Sequence, residues 1–163
     1  IRQFERSTSA HNTIEIDNKN SSEVWSEFRV ARRAYPLNLK IEDNKNEIKV
    51  YCSHNGYKQT HKRKWIFSEN KLLIEDKILG EFNKGFARFY LHPDIKIIKK
   101  KQDTYLLEHG GKTLVIKNLV GNGQIKPGFY APEFGKRVKT NCLVVDLVDS
   151  RCSMVEISWG VCH

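Results

Sequence analysis

Tyr105-Leu106-Leu107-Glu108-His109-Gly110-Gly111-Lys112-Thr113-Leu114-Val115-Ile116-Lys117 is the stretch from which the fold is read. Two apolar runs flank a Gly-Gly pair, and glycine accepts the positive φ that a two-residue hairpin turn requires at both central positions. The stretch is therefore a β-hairpin, and its apolar density on both faces places it centrally in a sheet. Working outward, strand-like runs recur at Thr13 to Asp17, Ile48 to Cys52, Lys64 to Phe67, Lys71 to Glu75, Ala87 to Leu91, Cys142 to Val148 and Met154 to Trp159. Turn signals separate them: Asn44-Lys45-Asn46, Asn55-Gly56, Ser68-Glu69-Asn70 and Gly121-Asn122-Gly123. Many short strands at this spacing predict an all-β antiparallel β-sandwich, one domain over residues 1–163. The segment from Ser21 to Ala34 is the best helical candidate, but strand and loop fit it equally well. Lys99-Lys100-Lys101 reads as a solvated turn.

A chain of 163 residues is long enough to bury one sizeable core. Hydrophobic residues at 39% and charged residues at 29% lie in the globular range. Lys and Arg outnumber Asp and Glu by 28 to 19, a net charge of +9, which attracts polyanions: nucleic acid, acidic lipid or acidic glycan. The charge is not gathered in a helix or an aromatic-laced motif, which argues against nucleic acid as partner. No apolar run is long enough to span a bilayer. Ile1 stands where an initiator Met would, so the chain is expected to be processed or part of a longer one, with its compartment unreadable from this start. Cys52, Cys142, Cys152 and Cys162 form no CxxC pair and read as ordinary thiols, or at most one pair of disulfides. No Gly-x-Ser-x-Gly elbow, phosphate-cradling Gly loop or HExxH helix occurs, against hydrolase, nucleotide-dependent and zincin chemistry.

Three segments carry candidate chemistry. In Arg6-Ser7-Thr8-Ser9-Ala10-His11-Asn12-Thr13-Ile14-Glu15-Ile16-Asp17, strand alternation turns Ile14 and Ile16 one way and His11, Thr13, Glu15 and Asp17 the other. That row is either a solvated sheet face or a site wall. Next, Arg29, Arg32 and Arg33 lie within five positions beside Trp25, Phe28 and Tyr35, offering planar forks for carboxylate or sulfate and flat rings for sugars, or else a plain basic edge. Third, if Asn55-Gly56 is a two-residue turn, His54 stands opposite Tyr57, a pair suited to proton transfer at a carbon acid. The same turn puts His61 opposite Val50, about 13 Å from His54 at a strand rise of roughly 3.3 Å per residue. Only a wider loop lets the two histidines share a metal ion. Two ordinary surface histidines are the alternative.

Taken together, Arg6 to Thr13 with Asp17, Ser22-Glu23-Val24-Trp25, Phe28-Arg29 and Arg32-Arg33-Ala34 resemble the start of the β-sheet domain of heparinase II/III-like polysaccharide lyases. His54-Asn55-Gly56-Tyr57, His61-Lys62-Arg63 and Arg88-Phe89-Tyr90-Leu91-His92-Pro93-Asp94 look like its later landmarks, with Phe134-Gly135 as a further one. The resemblance implies the C-terminal β-sandwich of a two-part enzyme whose N-terminal α/α toroid, absent from this sequence, supplies the principal Tyr and Asn or His of the catalytic centre. It implies β-elimination on an acidic, uronic-acid-containing polysaccharide such as a glycosaminoglycan, with the isolated domain inactive. It places His11 at the cleft, as the candidate for catalysis; read beside it, Arg29, Arg32, Arg33 and Arg63 are candidates to bind uronate carboxylates, and Asn12, His54 and Tyr57 candidates to contact substrate. Several such proteins hold zinc with two His and one Asp, so a zinc ion on His11 with His54 or His61 is implied; the acidic ligand is not found between Asp17 and Asp43, where Glu23 or Glu27 would substitute. The Ser-Glu-x-Trp and Arg-Arg-Ala pieces are similar to the branch associated with bacterial surface polysaccharide, implying a periplasmic or cell-envelope location. A non-catalytic carbohydrate-binding or structural β-sandwich is the alternative function, and nucleic-acid binding rests on charge alone.

Overall fold

Alternation of more and less buried positions, the mark of strands with one face on a core, is clearest over residues 71–79, 85–90, 104–109 and 152–159. The computed structural model describes residues 2–25, 29–133 and 135–160. Glu27, Phe28, Phe134, Cys162 and His163 lie outside them. A short helix, α1 (Arg2–Glu5), and a 3-10 turn at Thr8–Ala10 precede β1 (Ile14–Ile16), β2 (Val24–Trp25), β3 (Arg29–Val30), β4 (Pro36–Asn44) and β5 (Glu47–His54). There follow β6 (Thr60–Ser68), β7 (Lys71–Leu79), β8 (Gly85–Tyr90), β9 (Lys96–Lys101), β10 (Thr104–His109), β11 (Lys112–Val120), β12 (Asn122–Tyr130), β13 (Val138–Asp146) and β14 (Cys152–Trp159).

The strands pair antiparallel in a four-stranded sheet, β1-β8-β13-β12, and an eight-stranded sheet, β4-β5-β6-β7-β14-β11-β10-β9, with β2 and β3 as a separate hairpin. The fold is thus an all-β antiparallel sandwich. Its core joins Ile14, Ile16, Ala87, Phe89, Leu143 and Val145 of the small sheet to Ile74, Ile78, Tyr105, Leu107, Ile116 and Val155 of the large one. Leu107 and Leu143 have no exposed surface; truncating either to Ala removes about 2–5 kcal/mol.

The hairpin of β10 and β11 turns at Gly110 and Gly111, both at positive φ (57° and 74°), as the sequence predicts. Its position differs: β10 is next to the outermost strand, β9, rather than central. The Lys99–Lys101 run is not a turn but the end of β9, where Ile97 reaches the core edge and Lys100 lies 5.7 Å over the Tyr105 ring. Lysines on an outermost strand also discourage pairing with another chain.

β4 and β12 escape sequence reading for identifiable reasons. In β4, Asn38 is at φ 54° and a register shift falls between Leu37 and Lys40, which breaks alternation. In β12, Pro127 and two glycines read as loop, yet this is an outer strand, where a missing N–H can face away from its partner.

Candidate functional site

The segment around His11 is fixed from several sides. The Tyr90 hydroxyl donates to the Ser9 carbonyl at 2.6 Å, and the Tyr90 N–H donates to Asn12 Oδ1 at 2.7 Å. Arg63 donates to the Asn12 carbonyl at 2.6 Å, Tyr57 donates to the Ile14 carbonyl at 2.9 Å, and the Arg88 N–H donates to the Thr13 carbonyl. The predicted polar row is therefore only partly a water-facing row. Glu15 is paired with Arg88 at 2.6 Å, and Asp17 accepts from the N–H groups of Lys84 and Asn83, which hold its carboxyl below the usual range. His11, exposed in the pinned segment between the 3-10 turn and β1, has a ring displayed rather than packed.

His11 and Asn12 open onto a groove of about 750 Å³, whose other walls include Tyr90, His92, Tyr130 and Arg137. The His92 ring meets Tyr130 at 5.2 Å and His109 at 6.4 Å between centroids. Arg137 lies 3.4 Å over the Phe129 ring and 5.3 Å over Phe4, so apolar faces orient its guanidinium. A histidine, an amide, aromatic rings and an arginine thus share one concave surface, a set able to exchange a proton, stack on a sugar ring and face an anion.

The third candidate segment differs from its expected geometry. Asn55-Gly56 is not a two-residue turn; residues 55–59 form a wider loop, and His54 pairs with His61 instead of Tyr57. Gly56 serves close approach: a Cβ there would meet Ala34 Cβ and Ser21 at 2.8 Å, and Arg32 donates to its carbonyl. The Gly56 N–H donates to His54 Nδ1 at 3.1 Å. That acceptor role leaves the proton on His54 Nε2, which donates to His61 Nδ1 at 2.9 Å, and His61 Nε2 in turn donates to Asp76 Oδ1 at 2.6 Å. Arg63 closes the chain with Nε on Oδ1 at 2.6 Å and Nη2 on Oδ2 at 2.9 Å. Burial by itself would raise the Asp76 carboxyl, but His61 and Arg63 outweigh it and hold it low. Burial, then the neighbouring His61 and Arg63, push His54 down to about 4.

Placement sorts the sequence candidates. Arg63 is buried with its donors on Asp76 and Asn12; Tyr57, pushed up to about 12 chiefly by burial, is tied to Ile14. Arg32 also reaches the Ser21 carbonyl at 3.0 Å, which makes it a clamp between loops. Arg29 sits 5.3 Å over Trp25, while Arg33 is exposed without an ion pair or hydrogen bond among the described residues. The zinc set does not gather. His54 and His61 occupy each other and border a separate hollow of about 310 Å³, whereas His11 lines the larger groove. Among the described residues, which leave out Glu27, no three His, Cys, Asp or Glu groups are arranged to hold a metal ion, so the described residues do not fit the implied zinc. Cys52, Cys142 and Cys152 are free thiols, and no helix of the described residues is long and apolar enough to cross a membrane.

Sequence reading missed Asp76, Tyr130 and Arg137. Asp76 had a signal, a carboxylate in register with Ile74 and Ile78 on the buried side of β7. Tyr130 and Arg137 had none, since only the pairing of β12 with β13, and of β13 with β8, carries that hairpin to His11.

The comparisons agree with this architecture. The model of the family described as "Heparinase II/III-like, C-terminal" matches residues 1–159, and the chain belongs to that family. Among solved structures, heparan sulfate lyase HepC from Pedobacter heparinus superposes with a TM-score of 0.76 at 19% identity, covering 97% of this chain and 25% of that one. A heparinase III gene product gives 0.74 at 19% identity with the same coverage. The chain spans about a quarter of the length of these solved neighbours. No curated protein sequence matches it.

Proposed function

We propose that this domain forms one wall of the cleft of a polysaccharide lyase acting on an acidic, uronic-acid-containing polysaccharide by β-elimination, the other wall being a helical toroid. The reaction removes the proton at C5 of a uronic acid, tolerates the resulting carbanion by neutralising the carboxylate, and protonates the leaving oxygen. His11 is the residue assigned to proton transfer or to the carboxylate, with Asn12 beside it. Arg137 at the groove takes the anion-facing part that sequence reading gave to Arg32 and Arg63, and Arg29 and Arg33 remain as outer contacts for substrate. The observation that carries this reading is the display of His11 on a groove of about 750 Å³ by a segment in which the Ser9 and Asn12 carbonyls and the Asn12 side-chain oxygen accept hydrogen bonds. Such seating fixes a proton-transfer group without occupying it.

The test is absorbance in the ultraviolet band of unsaturated uronides, on a panel of acidic glycans, for the protein together with its helical domain. Signal that falls by about 10²–10⁴ in His11→Ala with folding retained is the expected result, the usual weight of one acid–base group. Binding of acidic glycans without any such signal from any uronate polymer overturns the lyase reading and leaves a carbohydrate-binding module.

A further inference from the structure

The large sheet has a second face, turned away from the small sheet, and its charge is far from balanced. Register places Lys40, Lys49 and Lys64 on this face, each answered by a glutamate: Glu42, Glu47 and Glu75. Lys71 and Lys117 share Glu156. Lys62, Lys77, Lys99 and Lys101 are exposed and have no ion pair among the described residues. Lys62 and Lys77 are direct cross-strand partners, a like-charge pairing that disfavours the sheet.

These lysines border two hollows. One, of about 610 Å³, has Lys40, Lys62, Lys64 and Lys77 at its walls and Tyr51 as a flat ring; the other, of about 400 Å³, has Lys99, Lys101 and Lys117. From β7 to β9 is four strand spacings, about 19 Å, so one extended polymer reaches both. We infer that this face is an accessory binding site for an acidic polysaccharide, separate from the His11 groove, holding a long chain by its pendant carboxylates or sulfates. Lysine suits that task as a mobile point charge that answers irregularly spaced anions without fixed geometry. Among the described residues the face carries no helix or protruding ribbon to enter a nucleic-acid groove and one ring, Tyr51, for bases to stack on, which favours polysaccharide over nucleic acid. The choice of ligand rests on the proposed function; the existence of a polyanion site does not.

The experiment compares the intact chain with Lys62→Glu/Lys77→Glu, Lys99→Glu/Lys101→Glu and the four-site Gln variant, folding being checked by thermal melting. Heparin, a polyuronate and a DNA duplex serve as probes at fixed salt. Each charge-reversed pair is expected to weaken polysaccharide binding at least fivefold and the four-site Gln variant about tenfold, with DNA bound more weakly throughout. Polysaccharide affinity within twofold of the parent in the Gln variant overturns the inference, as does DNA bound as tightly and through the same lysines. Loss of polysaccharide binding in the lysine variants of a protein that eliminates no uronate supports this site while the lyase reading fails. Normal binding in the lysine variants with elimination that depends on His11 does the reverse.

Discussion

His11 and His61 lie in one molecule under opposite conditions. His11 is exposed on a groove, at the end of a segment whose backbone is held for it by Tyr90, Arg63 and the Asn12 amide. His61 is 3% exposed, with one ring nitrogen toward His54 and the other toward Asp76. The difference teaches that a histidine's chemistry is set by which lone pairs and protons are left over. The half-buried His54 and buried His61, with Asp76 and Arg63, meet the His11 segment through the Asn12 carbonyl, and their ring nitrogens are spent on one another, on Asp76 and on the Gly56 N–H, whereas the His11 ring is exposed.

The sharpest way to break that contrast is Asp76→Ala. It leaves the Arg63 guanidinium buried without its carboxylate, and urea unfolding is expected to show a loss of about 3–5 kcal/mol. A loss below about 1 kcal/mol would mean the network does not hold the sheet and Asn12 together as described.

The next effect is one of pH. Native His54 stays neutral down to about 4, whereas the unfolded chain takes up that proton near 6.5, so stability falls as pH drops between those values and levels off below them. The Asp76 carboxyl, held low, adds its own loss only at still lower pH, as acid reaches its folded value. His54→Gln is expected to flatten the slope between pH 6.5 and 4 by on the order of 1–2 kcal/mol, discounted for the solvent that reaches the ring. An unchanged slope in denaturant midpoints across that window would place the acid sensitivity elsewhere.

Smaller effects sharpen the edges of the comparison. Tyr57→Phe removes the hydroxyl that donates to the Ile14 carbonyl and is expected to lower stability by about 1 kcal/mol, read in the urea midpoint. Arg33→Ala, at an exposed side chain without partners among the described residues, is expected to stay within about 0.5 kcal/mol by the same measurement.

These contrasts also mark what the sequence could tell. Nine strand-like runs were legible because alternation and glycine turns are local, and the Gly110-Gly111 hairpin is read correctly down to its turn. Register was not local. Asn55-Gly56 has the composition of a tight turn, but Gly56 is needed where Ser21 and Ala34 pack against it, and that tertiary contact widens the loop and brings His54 to His61. His11 stood out by its motif, and its groove could not be foreseen, since Tyr130 and Arg137 lie more than a hundred residues away and arrive through sheet pairing. The arginines were legible as charge but not as partners. Arg32 and Arg63 serve the fold's own carbonyls and carboxylate, a role that depends on what burial leaves unpaired.

The most direct test is a parallel measurement of the proposed elimination activity and of melting temperature for His11→Gln and His61→Gln, in the protein together with the proposed helical domain. His11→Gln is expected to keep the parent melting temperature and lose turnover, while His61→Gln is expected to lower the melting temperature first and turnover only with it. A His61→Gln protein as stable as the parent but inactive, beside a His11→Gln protein that still turns over, would contradict this expectation.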